Sequence, residues 1–275
     1  MWKLNKPNLG KATNEDITRL GEAAHLSAST KLSLKELYKN YDAQGGNVTA
    51  DQISSILSDE ADRIKAAYEK TYEGHPLSYI RSELINDIYR CPYCSLSQPT
   101  TLDHYMPKSQ YKALAVCRMN LIPMCSTCNS YKSTKSHSNF IHCYYEYFPT
   151  SIFLIAKVSV SSNRFVVKFD FDSQAIGNTQ LERKLRYQAD EIRLFKRLEK
   201  ESTVFISTLC NECEVNDTDS LKIWLSKRVS NIERRYGKND WRSALLRGIL
   251  AYSGLDISII NANRDMTPLT NAGGI

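Results

Sequence analysis

The stretch CPYCSLSQPTTLDHYMPKSQYKALAVCRMNLIPMCSTCNSYK, Cys91 to Lys132, decides how the rest of the chain is read. Two Cys-x-x-Cys pairs, Cys91/Cys94 and Cys125/Cys128, bracket the dipeptide Asp103-His104. Asn120 stands before the second cysteine pair and Asn129 directly after it. A Cys-x-x-Cys turn brings two thiolates together on one tight loop. Two such turns supply the four ligands that tetrahedral Zn²⁺ takes. Four thiolates close the coordination sphere, so a zinc held by them is structural. The gap of 30 residues between Cys94 and Cys125 exceeds a minimal zinc ribbon and leaves room for a strand pair.

Within that gap, residues 100–107 are predicted to be extended, ending at the breaker Pro107. Residues 119–123 form a second strand candidate, and residues 126–135 a helix. Strand, loop, strand, helix is a ββα unit. Upstream, residues 1–31 show no sustained period, and residues 32–41 form a short helix closed by Gly45-Gly46-Asn47. Thr49-Ala50-Asp51-Gln52 fits a capping box. Behind it Ile53, Ile56, Leu57, Ala61, Ile64 and Tyr68 recur at helical spacing, predicting one helix that ends near Gly74. A second helix from about Ser78 leads almost directly into Cys91.

Downstream, residues 153–160 and 165–171 are β-rich runs joined at Ser161-Ser162-Asn163 and read as a hairpin. One long helix follows Gly177, with Leu181, Leu185, Ile192, Phe195, Leu198 and Phe205 on its apolar face. Another, capped by Asp219 or Ser220, stops at Gly237, and a last one runs from Asp240 towards Gly254. The final twenty residues are expected to be loosely ordered. The fold class expected is α+β, in three regions: helices over 1–88, a zinc-stapled ββα core over 89–147, and a hairpin with helices over 148–275, a possible partner-docking region.

Composition agrees with a globular protein: 42% hydrophobic and 24% charged residues in 275. The start of the chain has no apolar signal core, and no apolar run is long enough for a bilayer, so a cytoplasmic protein without membrane contact is expected. Thiols or zinc sites then suit the eight cysteines better than disulfides. Cys210 and Cys213 have knuckle spacing but no second pair, and no metal site is assigned to them. Between Cys91 and Tyr145 five cations (Lys108, Lys112, Arg118, Lys132 and Lys135) face one acid, Asp103. That excess predicts a basic field suited to a polyanion. Residues 181–236 are charged but nearly balanced, which reads as a solvated helix surface. His137 and His142 fit no position of the motif, and Tyr144, Tyr145 and Tyr147 suit core packing better than base stacking.

Asp103-His104, Asn120 and Asn129, set between the cysteine pairs, resemble the HNH (His-Me finger) endonuclease motif. The resemblance covers about 45 residues and implies a ββα-metal fold that cuts nucleic acid. It makes His104 the general base, Asn120 the residue that orients it, and Asp103 and Asn129 the ligands of a catalytic Mg²⁺ or Mn²⁺. An amide at the last position, where the motif's name has His, suits a hard cation. More narrowly, HYMPKSQY followed by NLIPMC-x-x-CN-x-x-K is similar to HNH proteins encoded beside ABC/SMC-like ATPases in anti-phage systems of the Septu and retron-linked type. That likeness implies an ATPase partner and a defence role.

The chemistry is consistent with the residues. A histidine with a pKa near ~6.5 can take a proton from water at neutral pH. Adjacent residues on a strand point to opposite faces, so Asp103 and His104 can serve metal and water separately. Lys132, one turn past Asn129, and Lys108 are candidates to contact a backbone phosphate. DNA is the favoured substrate. RNA cleavage by the same fold, for example of tRNA, and a non-catalytic zinc module that binds nucleic acid or a partner are the alternatives.

Overall fold

The structure is a computed structural model that describes residues 3–54, 56–135 and 137–264. It divides into two compact units, Met1–Phe148 and Pro149–Ile275. The first holds together the helical region and the ββα core that the sequence reading set apart.

In the first unit a helical run begins with one turn at Leu9–Lys11, passes through a π-helical stretch at Ala12–Asp16, and continues as α1 (Ile17–Ala24). A π turn shifts the side-chain phase, which is why no helical period shows over this segment. Helix α2 (Ala28–Ala43) is longer than expected, because Ser27 caps it by accepting from Thr30 N–H. It ends at Gly45 and Gly46, which adopt φ of +64° and +88°.

The single helix expected behind Thr49 is two: α3 (Ala50–Ser54) and α4 (Ser58–Ala67), the latter running into a 3₁₀ turn at Tyr68–Thr71. The capping contact is present, with Gln52 Oε1 accepting Thr49 N–H at 2.9 Å. The break puts Ile56 inside and Leu57 outside. Helix α5 (Ser78–Ile85) follows. Strands β1 (Thr101–His104) and β2 (Leu121–Met124) pair antiparallel, Asp103 opposite Ile122 and His104 opposite Leu121. Pro123 is tolerated because both strands of a two-stranded ribbon are edges. Helix α6 (Ser126–Lys132) completes the ββα order.

Around this ribbon Leu34, Leu37, Tyr38, Tyr41, Ile64, Leu77, Ile80, Tyr93 and Phe140 are buried, each worth about 1.5–3 kcal/mol for an aliphatic or phenyl side chain. Helices that flank the core in sequence thus form its walls.

In the second unit β3 (Leu154–Ser161) and β4 (Arg164–Phe171) form the hairpin, turned by Ser162 and Asn163, both at positive φ as a two-residue type I′ loop requires. The long helix expected after Gly177 is broken into α7 (Thr179–Glu191) and α8 (Leu194–Asn211), with Arg193 left-handed at φ +52°. Ile192 and Leu194 are both buried. On one straight helix, residues two apart point ~200° away from each other, so the turn at Arg193 lets both face inward.

Helix α9 (Thr218–Tyr236) is capped by Asp217, not by Asp219 or Ser220. Helix α10 (Trp241–Ala251) is capped by Asp240, and part of the stretch expected to be loosely ordered is instead helix α11 (Ile257–Ala262), capped by Asp256. The rest of that stretch, 265–275, lies outside the described residues. Among the described residues no helix is long and apolar enough to cross a membrane.

Candidate active site

The four cysteine sulfurs lie within 4.8 Å of one another, and all four residues are buried. Cys94 Sγ and Cys125 Sγ are 3.8 Å apart. A zinc tetrahedron with Zn–S of ~2.3 Å puts sulfurs ~3.8 Å apart, so the donor set fits zinc. The knuckles are shaped by the backbone: Ser95 turns left-handed (φ +59°) and donates its N–H to the Cys91 carbonyl at 2.8 Å. Cys125 is also the N-cap of α6. A zinc held by these four sulfurs would fix the start of α6 against the loop that leads into β1. Cys210 and Cys213 are buried free thiols, and among the described residues they join no second cluster.

His104 ends β1. Its Nε2 lies 2.9 Å from the Ala115 carbonyl. A carbonyl only accepts, so Nε2 carries the proton and Nδ1 keeps the lone pair. Burial pushes this imidazole down to about 3. The Ala115 bond opposes the shift, and the nearby charges of Lys108, Lys132 and Arg81 add to it. At neutral pH the ring is a neutral base.

Asn120 is fully buried and uses its whole amide. Oδ1 accepts Met106 N–H at 2.8 Å and the Tyr41 hydroxyl at 3.1 Å. Nδ2 donates to the carbonyls of Met106 (3.1 Å) and Leu114 (3.2 Å). Asn120 thus ties both ends of the loop after β1, and it holds Leu114 next to the Ala115 carbonyl that fixes His104.

Behind it, His142 Nδ1 accepts Tyr144 N–H at 3.4 Å, so Nε2 is the donor across 3.0 Å to the Tyr41 hydroxyl. The direction is then set: His142 to Tyr41 to Asn120. Gly46 is required beside it, since a Cβ there would lie 2.7 Å from His142 Nε2 and 2.9 Å from the Tyr145 ring.

Asp103 points to the other face of β1. Burial pushes its carboxyl up to about 6, against the pull of Lys132. Lys132 Nζ lies 2.8 Å from Oδ2 as an ion pair off the hydrogen-bond direction, and donates to the His104 carbonyl at 2.8 Å. Asn129 sits half-buried beside this face, its Nδ2 on Thr101 Oγ1 at 3.0 Å. Thr101 and Asp103 share one side of β1, so Asn129 and Asp103 border the same space. Asn129 Oδ1 accepts nothing among the described residues. Two hard oxygens, one of them a buried carboxylate oxygen without an aligned donor, fit a divalent cation such as Mg²⁺.

Lys132 corrects its sequence reading. Expected over a phosphate, it is wholly buried against Phe140 and engaged with Asp103. Lys108 is one-third exposed, its Nζ 4.2 Å above the Tyr68 ring and 3.4 Å from Glu69. The basic field expected over 91–145 is also largely cancelled. Arg118 is buried between Asp16 (2.5 Å) and Glu83 (2.9 Å), and Lys112 meets Asp62 at 2.7 Å. The acids come from helices far away in sequence. Tyr144 and Tyr145 are structural, bonded to the Leu121 carbonyl and to Asp42, while Tyr147 is exposed.

Tyr41, His142, Tyr68 and Arg81 were not legible as site residues. Tyr68 packs against the His104 ring at a centroid distance of 4.5 Å with the ring planes tilted by 59°, and donates to the Leu102 carbonyl at 2.8 Å. Its place in an apolar helix stripe marked it as core, which it also is.

Residues 91–135 match the family model described as HNH endonuclease. The match covers an HNH endonuclease domain with a four-cysteine cluster built into it, and it suggests a nuclease. No curated protein and no solved structure matches the chain.

Proposed function

We propose that the protein is a metal-dependent endonuclease that hydrolyses phosphodiester bonds of DNA, with His104 as general base. The observation that carries this reading is the His104 tautomer. Its Nε2–H is committed to the Ala115 carbonyl, and its Nδ1 lone pair is left to receive a proton. A water proton passes to Nδ1 as the water oxygen bonds to phosphorus. The P–O3′ bond breaks, leaving a 5′-phosphate and a 3′-hydroxyl protonated from solvent. Asp103 and Asn129 would hold a catalytic Mg²⁺ or Mn²⁺, which would supply Lewis-acid stabilisation of the phosphate and leaving oxygen. Asn120 holds the loop that orients His104. Lys132 pairs with Asp103 at Oδ2 and offsets its charge, and Lys108 contacts phosphate.

The test is cleavage of plasmid DNA and bulk tRNA in Mg²⁺ or Mn²⁺ by wild type and zinc-loaded His104→Ala. Metal-dependent cutting of DNA by wild type alone is the expected result. Cutting of tRNA alone assigns an RNase, and equal cutting by both proteins refutes the mechanism. The likeness of residues 104–132 to HNH proteins of Septu and retron-linked systems supports an ABC/SMC-like ATPase as partner in an anti-phage complex. Co-purification with the product of a neighbouring ATPase gene checks that part separately.

A further inference from the structure

The cations near His104 sort by partner. Lys132 is paired to Asp103, and Lys108 reaches Glu69. Arg81, on α5 and outside the HNH segment, has no carboxylate within ion-pair distance among the described residues. Its guanidinium carbon lies 4.2 Å from the centroid of the half-exposed Tyr72 ring and 6.0 Å from that of Tyr68. One Nη donates to the Tyr68 hydroxyl at 3.3 Å. Its Nε is buried with no hydrogen-bond partner. Stacking on tyrosine fixes the plane of a guanidinium, and the Nη edge of a guanidinium matches two phosphate oxygens. Tyr68 itself touches the His104 ring at 4.5 Å and lies under Lys108.

We propose that Arg81 binds a phosphate of the nucleic-acid backbone next to the scissile one, so that the helical region before residue 91 supplies part of the substrate-binding face. The inference rests on the nuclease reading for the identity of the anion. One tyrosine ring separates the guanidinium from the imidazole, which places Arg81 beside the reacting phosphate and not on it. The role is therefore binding. A purely structural cation–π clamp explains the stacking on Tyr72, but it leaves the guanidinium charge without a carboxylate among the described residues, and a phosphate supplies that counter-charge. Tyr68 packs against both groups.

The test separates binding from cleavage. In the His104→Ala background without divalent metal, Arg81→Gln should weaken binding of a labelled DNA duplex several-fold. It should also lower the slope of log affinity against log salt by about 0.9, one phosphate contact. Arg81→Lys should keep the slope. In the active protein Arg81→Gln should raise KM several-fold and leave kcat nearly unchanged. A folded, zinc-loaded Arg81→Gln protein with unchanged affinity and salt slope overturns the proposal, even if wild type cleaves DNA. Weaker binding by Arg81→Gln with no His104-dependent cleavage leaves the phosphate site standing and removes the nuclease reading. Wild type gives a check free of folding effects: bound DNA should protect Arg81 from phenylglyoxal, read by peptide mass spectrometry, and absence of protection counts against the site.

Discussion

Removing the Asn120 side chain should damage the first unit more than any other single change to a neutral residue of the site. Its four hydrogen bonds, at 2.8, 3.1, 3.1 and 3.2 Å, end on Met106 N–H, the Tyr41 hydroxyl, and the carbonyls of Met106 and Leu114. All are buried. A buried group stranded without a partner costs about 1–3 kcal/mol, and water admitted to the vacated space recovers part of it. Taking the low end for each partner, Asn120→Ala should destabilise the unit by about 3–4 kcal/mol. Typical domain stabilities are about 5–15 kcal/mol, so the variant folds but poorly. Urea unfolding followed by circular dichroism measures the loss, and hydrogen exchange at Met106 N–H reports it locally. Because Leu114 precedes the carbonyl that orients His104, kcat should fall even in the folded fraction. A stability loss below about 1 kcal/mol, with unchanged Met106 exchange, would refute the claim that this amide ties the loop.

Other outcomes follow from neighbouring contacts. Zinc analysis should give one ion held by Cys91, Cys94, Cys125 and Cys128, and chelation or Cys125→Ala should abolish cooperative unfolding of the first unit, since structural zinc contributes on the order of 10 kcal/mol. Gly46→Ala combines positive φ with a collision against His142 and Tyr145, so its melting temperature should drop by an amount corresponding to about 1–3 kcal/mol. Glu60 accepts from Ser27 N–H (2.6 Å), the Ser27 hydroxyl (3.1 Å) and the Thr30 hydroxyl; the Thr30 bond foremost holds its pKa below the ordinary value. A lowered folded pKa adds stability that is present above the unfolded value and lost as pH falls through the folded one. The stability gap between wild type and Glu60→Gln should therefore narrow as pH drops below about 4.5, and a constant gap would exclude the linkage. Finally, NMR titration of the zinc-loaded, Mg²⁺-free protein should find His104 still neutral at about pH 5, where an ordinary imidazole with pKa ~6.5 is mostly charged.

The ββα order, the cysteine cluster and the residues of the motif were legible because each is written in local spacing. Cys-x-x-Cys fixes a turn, Pro107 lies just beyond the end of β1, and Asn129 falls on the first turn of the helix that Cys125 caps. Helix ends were less legible where the chain departs from one period. The π turn at Ala12–Asp16 and the left-handed Arg193 each reset the phase of a helix. The residues that support the site were hidden for a different reason. Tyr41 and His142 are 101 positions apart and meet only in the fold. Neither has a spacing to Asn120 that a sequence window could register.

Charge shows the same divide most sharply. Counted along the chain, residues 91–145 carry five cations and one acid. Counted in space, Asp16, Glu83, Asp62 and Glu69 from the preceding helices reach into that segment, and Arg118, Lys112 and Lys108 are paired. The net charge of a linear stretch therefore says little about the field a phosphate would meet there, because ion pairs form across the fold. What survives the pairing is a guanidinium from outside the segment, Arg81, stacked on Tyr72 with a buried N–H lacking an acceptor. The helices that neutralise the motif's own cations also carry Arg81, the cation proposed above to hold substrate. A fragment cut to the HNH segment alone would lose this cation and expose Arg118, which is paired in the intact unit. Such a fragment should bind DNA with a different salt slope even where its zinc site remains filled.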